Sequence, residues 1–257
     1  MHTTGALYQR LLRDPHHRKE MRVNIAGMDY GQDRIVSLET SGGVFDQPDI
    51  GNCASRQIDL TLRDPDCATA ISNGRAQFNS ARGLDAPVAE SWEIPRSAEI
   101  RVFVRLALGD EVSEWIPKGV FYISTRRLDT RTGFLELHGF DAMRRAGEVW
   151  DIDPHANWPM SGQEAVADIA AQMGVELDPR TALSGGFPVG YPVDEDGDLA
   201  MADVLEGIAV SEAGNWVISD EGKLLLLKLG DIPPETNYLV DENGDAITFG
   251  GVRIFAG

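Results

Sequence analysis

The stretch SEWIPKGVFYIS, Ser113–Ser124, sets a tryptophan and a Pro-Lys-Gly turn beside an unbroken apolar run from Gly119 to Ile123. That run holds no histidine, cysteine or carboxylate, so its conspicuousness is not that of a catalytic wall. An apolar run without alternation reads as a strand covered on both faces, the pattern of a segment buried between two layers. Working outward, Val120 to Thr125 and Phe134 to Gly139 read as two strands of a hairpin joined by RRLDTRTG, with Gly133 easing the return.

The neighbouring segments alternate with period two. In RQIDLTL, Ile58, Leu60 and Leu62 share one face, while in IRVFVRL Ile100, Val102, Val104 and Leu106 share one face and Arg101, Phe103 and Arg105 the other. Strand signals run from Met21 to His138. Before them, ALYQRLL (6–12) reads as a short helix with Leu7, Leu11 and Leu12 on one side, stopped by Asp14-Pro15 and forming an arm more than a core element. Within the strand region, Asn73–Pro95 is rich in Gly, Ala, Ser and Pro and reads as a long irregular excursion.

After His138 the period becomes helical. Asp141 is placed to cap a short helix through DAMRRA, and Ser161 with Glu164 forms a capping box for QEAVADIAAQMG, whose Val166, Ile169, Ala170 and Met173 make one stripe up to Gly174. MADVLEGIAVSEAG is a second amphipathic helix, with Met201, Val204, Leu205, Ile208 and Ala209 on one stripe and Gly214 as its stop. NWVISDEGKLLLLKL then reads as a hairpin about Asp220-Glu221-Gly222. The fold expected is α+β: an N-terminal arm over 1–20, a β-rich domain over 21–145 and a smaller acidic helix-plus-hairpin domain over 146–257.

The 257 residues, 42% hydrophobic and 25% charged, suit a globular chain, and no apolar run approaches the ~18 residues of a membrane span. Neither a signal peptide nor stable membrane insertion is expected. The net charge is −18, and its distribution is uneven. Residues 1–147 carry 19 basic and 20 acidic side chains, net −1, whereas residues 148–257 carry 4 and 21, net −17. Such a chain lacks the clustered cations that specific nucleic-acid binding needs, although an acidic wall suits a surface that DNA passes without adhering.

The sequence is poor in chemistry. Cys53 and Cys67 lie 14 positions apart with no CxxC, and His2, His16, His17, His138 and His155 form neither HExxH nor a recognisable nucleophile-base frame, so no metal, cofactor or catalytic residue is assigned. Asp194, Glu195, Asp196 and Asp198 resemble the start of a calcium loop, but Leu205 stands where the bidentate glutamate belongs. Gly42-Gly43, Gly185-Gly186 and Gly250-Gly251 fit no phosphate-binding motif and read as turns. Trp92, Trp115, Trp150, Trp158 and Trp216 read first as core or interface anchors.

The ordered succession IGNCASRQIDLTLRDP (50–65), IPRSAEIRVFVRL (94–106), SEWIPKGVFYISTRR (113–127) and LELHGFDAMRRA (135–146) resembles the N-terminal region of phage tail hub proteins, the tail-tip or baseplate hub component. The resemblance runs on through Trp158-Pro159, Asp178-Pro179-Arg180 and AGNW (213–216) with SDEGKL (219–224), and covers roughly residues 44–229; Phe140 stands where the family commonly has tyrosine. It implies a structural protein of the virion, not an enzyme, made in the host cytoplasm and placed at the distal end of the tail. It further implies a β-barrel-like tail-tube-type domain and a homotrimer that continues or closes the tail tube. Its implied partners are a distal tail or tube ring protein, the tape-measure protein, tip or fibre proteins, and DNA in transit without specific binding. No lytic or receptor-binding module is expected within this sequence, and the iron-sulfur cluster of some hubs cannot be carried over to two cysteines. From other classes, a cell-wall hydrolase or a host-glycan-binding fibre module on Trp92 or Trp158 remain the alternatives.

Overall fold

The computed structural model describes residues 4–42, 50–63, 69–70, 92–95, 97–129, 134–152, 158–185, 188–191, 199–229, 248–249 and 252–253. In chain order these form helix α1 (Ala6–Leu12), strands β1 (Arg18–Ile25), β2 (Met28–Tyr30), β3 (Ile35–Ser41), β4 (Cys53–Ala54) and β5 (Gln57–Arg63), and the short parallel pair β6 (Thr69–Ala70) and β7 (Trp92–Glu93). Then come β8 (Glu99–Leu108), β9 (Glu111–Val112), β10 (Ile116–Asp129), β11 (Phe134–Phe140) and a 3-10 turn over Ala142–Gly147. The remainder is β12 (Met160–Ser161), α2 (Gly162–Gln172), β13 (Pro188–Val189), α3 (Met201–Ser211), β14 (Gly214–Ile218), β15 (Leu224–Lys228) and the pair β16 (Thr248–Phe249) and β17 (Val252–Arg253).

The main sheet runs β2-β1-β8-β10-β11-β5-β3, antiparallel throughout, with β9 folded back on the end of β8. The alternation in the sequence sets its faces. Ile58, Leu60 and Leu62, Ile100 and Val102, and Leu135 and Leu137 point inward with Val23, Ile25, Tyr30, Phe121 and Ile123 into one core. Apart from Ile94 and Ala98, every described side chain in that core comes from the sheet itself. Seven strands ~4.8 Å apart would span ~29 Å if flat and leave this face to water. Among the described residues this face is lined by the sheet's own apolar side chains together with Ile94 and Ala98. Among the described residues the ladder remains open, because β2 and β3, the two edges, are not paired to each other.

A second core gathers α2, α3, the 3-10 turn and the β14–β15 hairpin around Trp216, which is fully buried and donates its indole N–H to the Leu205 carbonyl at 2.7 Å. The capping box at Ser161 and Glu164 forms as the spacing requires, and Val166, Ile169, Ala170 and Met173 are all buried. β4 lies parallel beside β14. The chain thus joins the helical core at Cys53–Ala54 and enters the main sheet three residues later at Gln57.

Two sequence expectations change. Helix α1 is no detached arm: Leu11 is buried, the helix packs on β8, and β1 begins at Arg18. Val104, Leu106 and Ile116, at the end of the inner face beyond the main core, are buried in this region, which gives Leu11 apolar neighbours. Leu12 turns away and is exposed, since a seven-residue helix presents only one narrow stripe to the sheet. Helix α3 ends before Gly214, with Ala213 in the left-handed region at φ 52°, because Gly214 is already a strand residue whose added Cβ would meet the Leu227 carbonyl oxygen at 2.6 Å. The excursion 73–95 lies mostly outside the described residues, although Ile94 at its end is fully buried.

Candidate functional site

The opening stretch lies where the two cores meet. Phe121 and Ile123 point into the sheet core, whereas Tyr122 faces the opposite way and packs against the helical core. Val120, on the same side as Tyr122, lies under Gly222 in the β14–β15 turn. The run is covered on both faces, which explains its lack of alternation.

Arg56 fastens this seam. Its guanidinium donates to Asp220 at 2.9 Å and to the Ile218 carbonyl at 2.9 Å, lies over the Phe121 ring, and is 3.6 Å from Asp141. Asp141 is fully buried and accepts from the Arg56 backbone N–H at 3.0 Å, the Ser55 hydroxyl at 3.1 Å and the Met143 N–H at 3.1 Å. Burial pushes its carboxyl above the ordinary range, against the pull of these donors and the Arg56 charge. The N-cap read from the sequence is thus also the anchor of the seam. Arg145 completes it, its guanidinium 4.0 Å from the Tyr122 ring centre and donating to the Met173 carbonyl at 2.7 Å.

The outer face of the sheet carries groups that sequence reasoning did not bring together. His138 on β11 donates through Nδ1 to Asp59 on β5 at 2.8 Å, and its ring meets Phe140 edge-on. An open cleft of about 440 Å³ is lined by this pair with Thr61, Thr125, Arg127 and Glu136. The residues lie 79 positions apart, and only the pairing of β5 with β11 places them side by side. At the other end of the sheet, Trp115 stands between Arg22 and Arg105, whose guanidinium carbons lie 4.7 and 4.4 Å from its ring centre.

Trp150 and Trp216 are core anchors, as read, and Trp158 meets both Trp150 and the half-exposed Tyr191 edge-on. The Trp92 side chain lies outside the described residues, as do His2, Cys67, His155, the acidic run 194–198 and Gly250-Gly251. Cys53 is half-buried, and burial raises its thiol strongly, the state of a packing residue more than of a nucleophile. Among the described residues no group of three or more His, Cys, Asp or Glu side chains is arranged to hold a metal. No described helix is long and apolar enough to cross a membrane.

No protein-family model matches this chain, and no curated protein matches it in sequence. Its fold is found among solved structures. The prophage MuSo2 43 kDa tail protein from Shewanella oneidensis aligns over 90% of this chain and 61% of its own, with TM-score 0.50 and 10% identity. The tail protein from Neisseria meningitidis MC58 aligns over 89% and 54%, with TM-score 0.44 and 12% identity. The chain therefore has the fold of a phage tail protein and spans about three fifths of the MuSo2 protein's length.

Proposed function

We propose that this chain is a structural subunit of a phage tail, acting at the distal end as a trimeric hub that continues or closes the tail tube and lets DNA through during ejection. The observation that carries this reading is a seven-strand antiparallel sheet whose edges β2 and β3 are open among the described residues, in a chain that shares its fold with a phage tail protein. β3 is an edge of seven residues bearing one charge, Glu39, and an exposed Val36. An edge of this kind presents unpaired backbone donors and acceptors and gains from pairing with another chain. Closed around an axis, such sheets make a tube.

The acidic balance of residues 148–257 supports a lumen that DNA crosses without adhering. In this reading the ring protein of the tube lies above the hub, the tape-measure protein or DNA within it, and tip or fibre proteins below. The protein would act by assembly and not by catalysis.

Mass photometry with negative-stain imaging tests the proposal. A species of about 84 kDa, three times the 28.1 kDa chain, with a central hole is the expected result. A chain that stays monomeric at micromolar concentration, alone and with tail-tube ring protein, overturns it. A turbidity assay on cell walls separates the hub from the hydrolase alternative.

A further inference from the structure

β2 and β3 stand at opposite ends of the main sheet, yet only residues 31–34 join them. A flat sheet would hold these ends ~29 Å apart, whereas the steps from Tyr30 to Ile35 reach ~18 Å at most. The turn, in which the Gly31 carbonyl accepts from the Arg34 N–H at 3.0 Å and the Ile35 N–H at 3.2 Å, therefore ties the two ends together. Following the antiparallel ladders from β2 through β1, β8, β10, β11 and β5 to β3 shows that β2 and β3 run in the same direction. Straightening the turn thus makes Met28–Ser41 one extended run that carries β3 off its own sheet. β3 is lightly held. None of its side chains is buried, only Ile35 and Leu38 pack partly on the core, a bulge at Val36 interrupts its ladder to β5, and Glu39 stands directly opposite Asp59. Beneath it, β5 is a regular edge whose Ile58, Leu60 and Leu62 are all buried.

We propose that copies of this chain exchange β3, each β3 leaving through the Gly31–Arg34 hinge to pair with β5 of the next copy. The inference rests on the hub reading, and the closed chain itself supplies the occupant. The β5 edge already fits IVSLETS residue by residue, from Ile35 opposite Leu62 to Ser41 opposite Gln57. Every ladder bond given up within a copy is regained between copies, so exchange costs little beyond opening the hinge and bringing the copies together. A short loop that ties two parts of a domain is where such exchange arises. The chain returns to its own helical core at Ile50, next to which the Gly51 N–H donates to the Gly214 carbonyl at 2.9 Å. From Gly42 to Ile50 the chain reaches ~28 Å at most, which confines the exchange to a copy in direct contact. Passed around three copies, it closes a ring in which every β5 edge is filled.

Ser37→Cys/Thr61→Cys places one thiol on β3 directly opposite one on β5, at a separation a disulfide spans. The single variants Ser37→Cys and Thr61→Cys control for bonds through Cys53 and Cys67, and thermal unfolding checks the fold. The double variant, assembled alone or with tail-tube ring protein, is oxidised and run on a denaturing gel without reductant. Exchange gives a covalent trimer of about 84 kDa, three times the 28.1 kDa chain, that collapses to single chains on reduction. Oxidised as a dilute monomer, the same variant should lock within one chain and stay out of oligomers until it is reduced. An assembled variant that crosslinks only within single chains, or a locked chain that assembles like wild type, overturns the exchange and leaves the hub reading intact. A covalent dimer keeps the exchange and removes the trimer, whereas a wild type that stays monomeric removes both.

Discussion

Arg56 shows how much of this fold hangs on single polar groups at the seam. It follows the last residues of β4 and precedes β5, so its backbone belongs to the passage between the cores while its side chain reaches back to the hairpin turn at Ile218 and Asp220. Removing the guanidinium leaves Asp141, with no exposed side-chain surface, facing an unfilled position. Arg56→Ala is expected to cost about 3 kcal/mol, read by chemical denaturation, and Arg56→Lys should recover little, because a lysine cannot reproduce the fork that serves Asp220 and Ile218 together. Asp178 makes a second, pH-dependent case. The Arg180 guanidinium, gripping it through Nε at 2.8 Å and Nη2 at 2.7 Å, holds its carboxyl at about 2 against an ordinary 3.8. A depressed carboxylate contributes stability above its unfolded value and loses it as pH falls through the folded one. Arg180→Gln is therefore expected to lower stability by about 1–2 kcal/mol at pH 7, after the screening that its half-exposed guanidinium brings, with the difference shrinking between pH 4 and 2.

Among the elements, α2 is the one whose start is most completely specified, since the Ser161 hydroxyl accepts from the Glu164 N–H and the Glu164 carboxylate accepts from the Ser161 N–H at 2.9 Å. Ser161→Ala should cost about 1 kcal/mol and raise amide exchange in the first turn of α2 before it affects the sheet. The β14–β15 turn is a different kind of constraint: Gly222 sits at φ +86°, and a Cβ there would lie 3.0 Å from Val120. Gly222→Val should cost about 2 kcal/mol and increase exchange along β15, measured by hydrogen–deuterium exchange. These elements were legible because their signals are local: the cap lies three residues from its partner, and the strands β5, β8 and β11 declare their inner faces by alternation. What stayed hidden depends on register over long separations. The pairing of Leu60 with Leu137 puts Asp59 beside His138, and the same ladder sets Arg63 beside Phe134. Nothing local in IDL or LELH foretells it. The stop of α3 was misplaced for a related reason, because Gly214 is claimed by close packing against β15 and the left-handed position falls to Ala213.

At the scale of the whole molecule, two cores are held as one by few links. β4 carries the chain from one to the other, Arg56 and Asp141 tie the crossing to the hairpin turn, and Tyr122 reaches from the sheet into the helical core beneath Arg145. Each core is large enough to persist without the other, since each buries more than a dozen apolar side chains, worth roughly 2 kcal/mol apiece in area terms before chain entropy is set against them. Cooperative unfolding then depends on the links being worth more than the difference in stability between the two cores. The wild-type protein is expected to give a single calorimetric transition. Arg56→Ala/Tyr122→Ala removes the clamp and the ring that β10 places against the helical core, and should split that transition into two, with the sheet and the helical core melting separately by far-UV circular dichroism. If the double variant still melts in one step, shifted only to lower temperature, then the coupling runs through the backbone passage at Cys53–Gln57 and not through the side chains that bridge it.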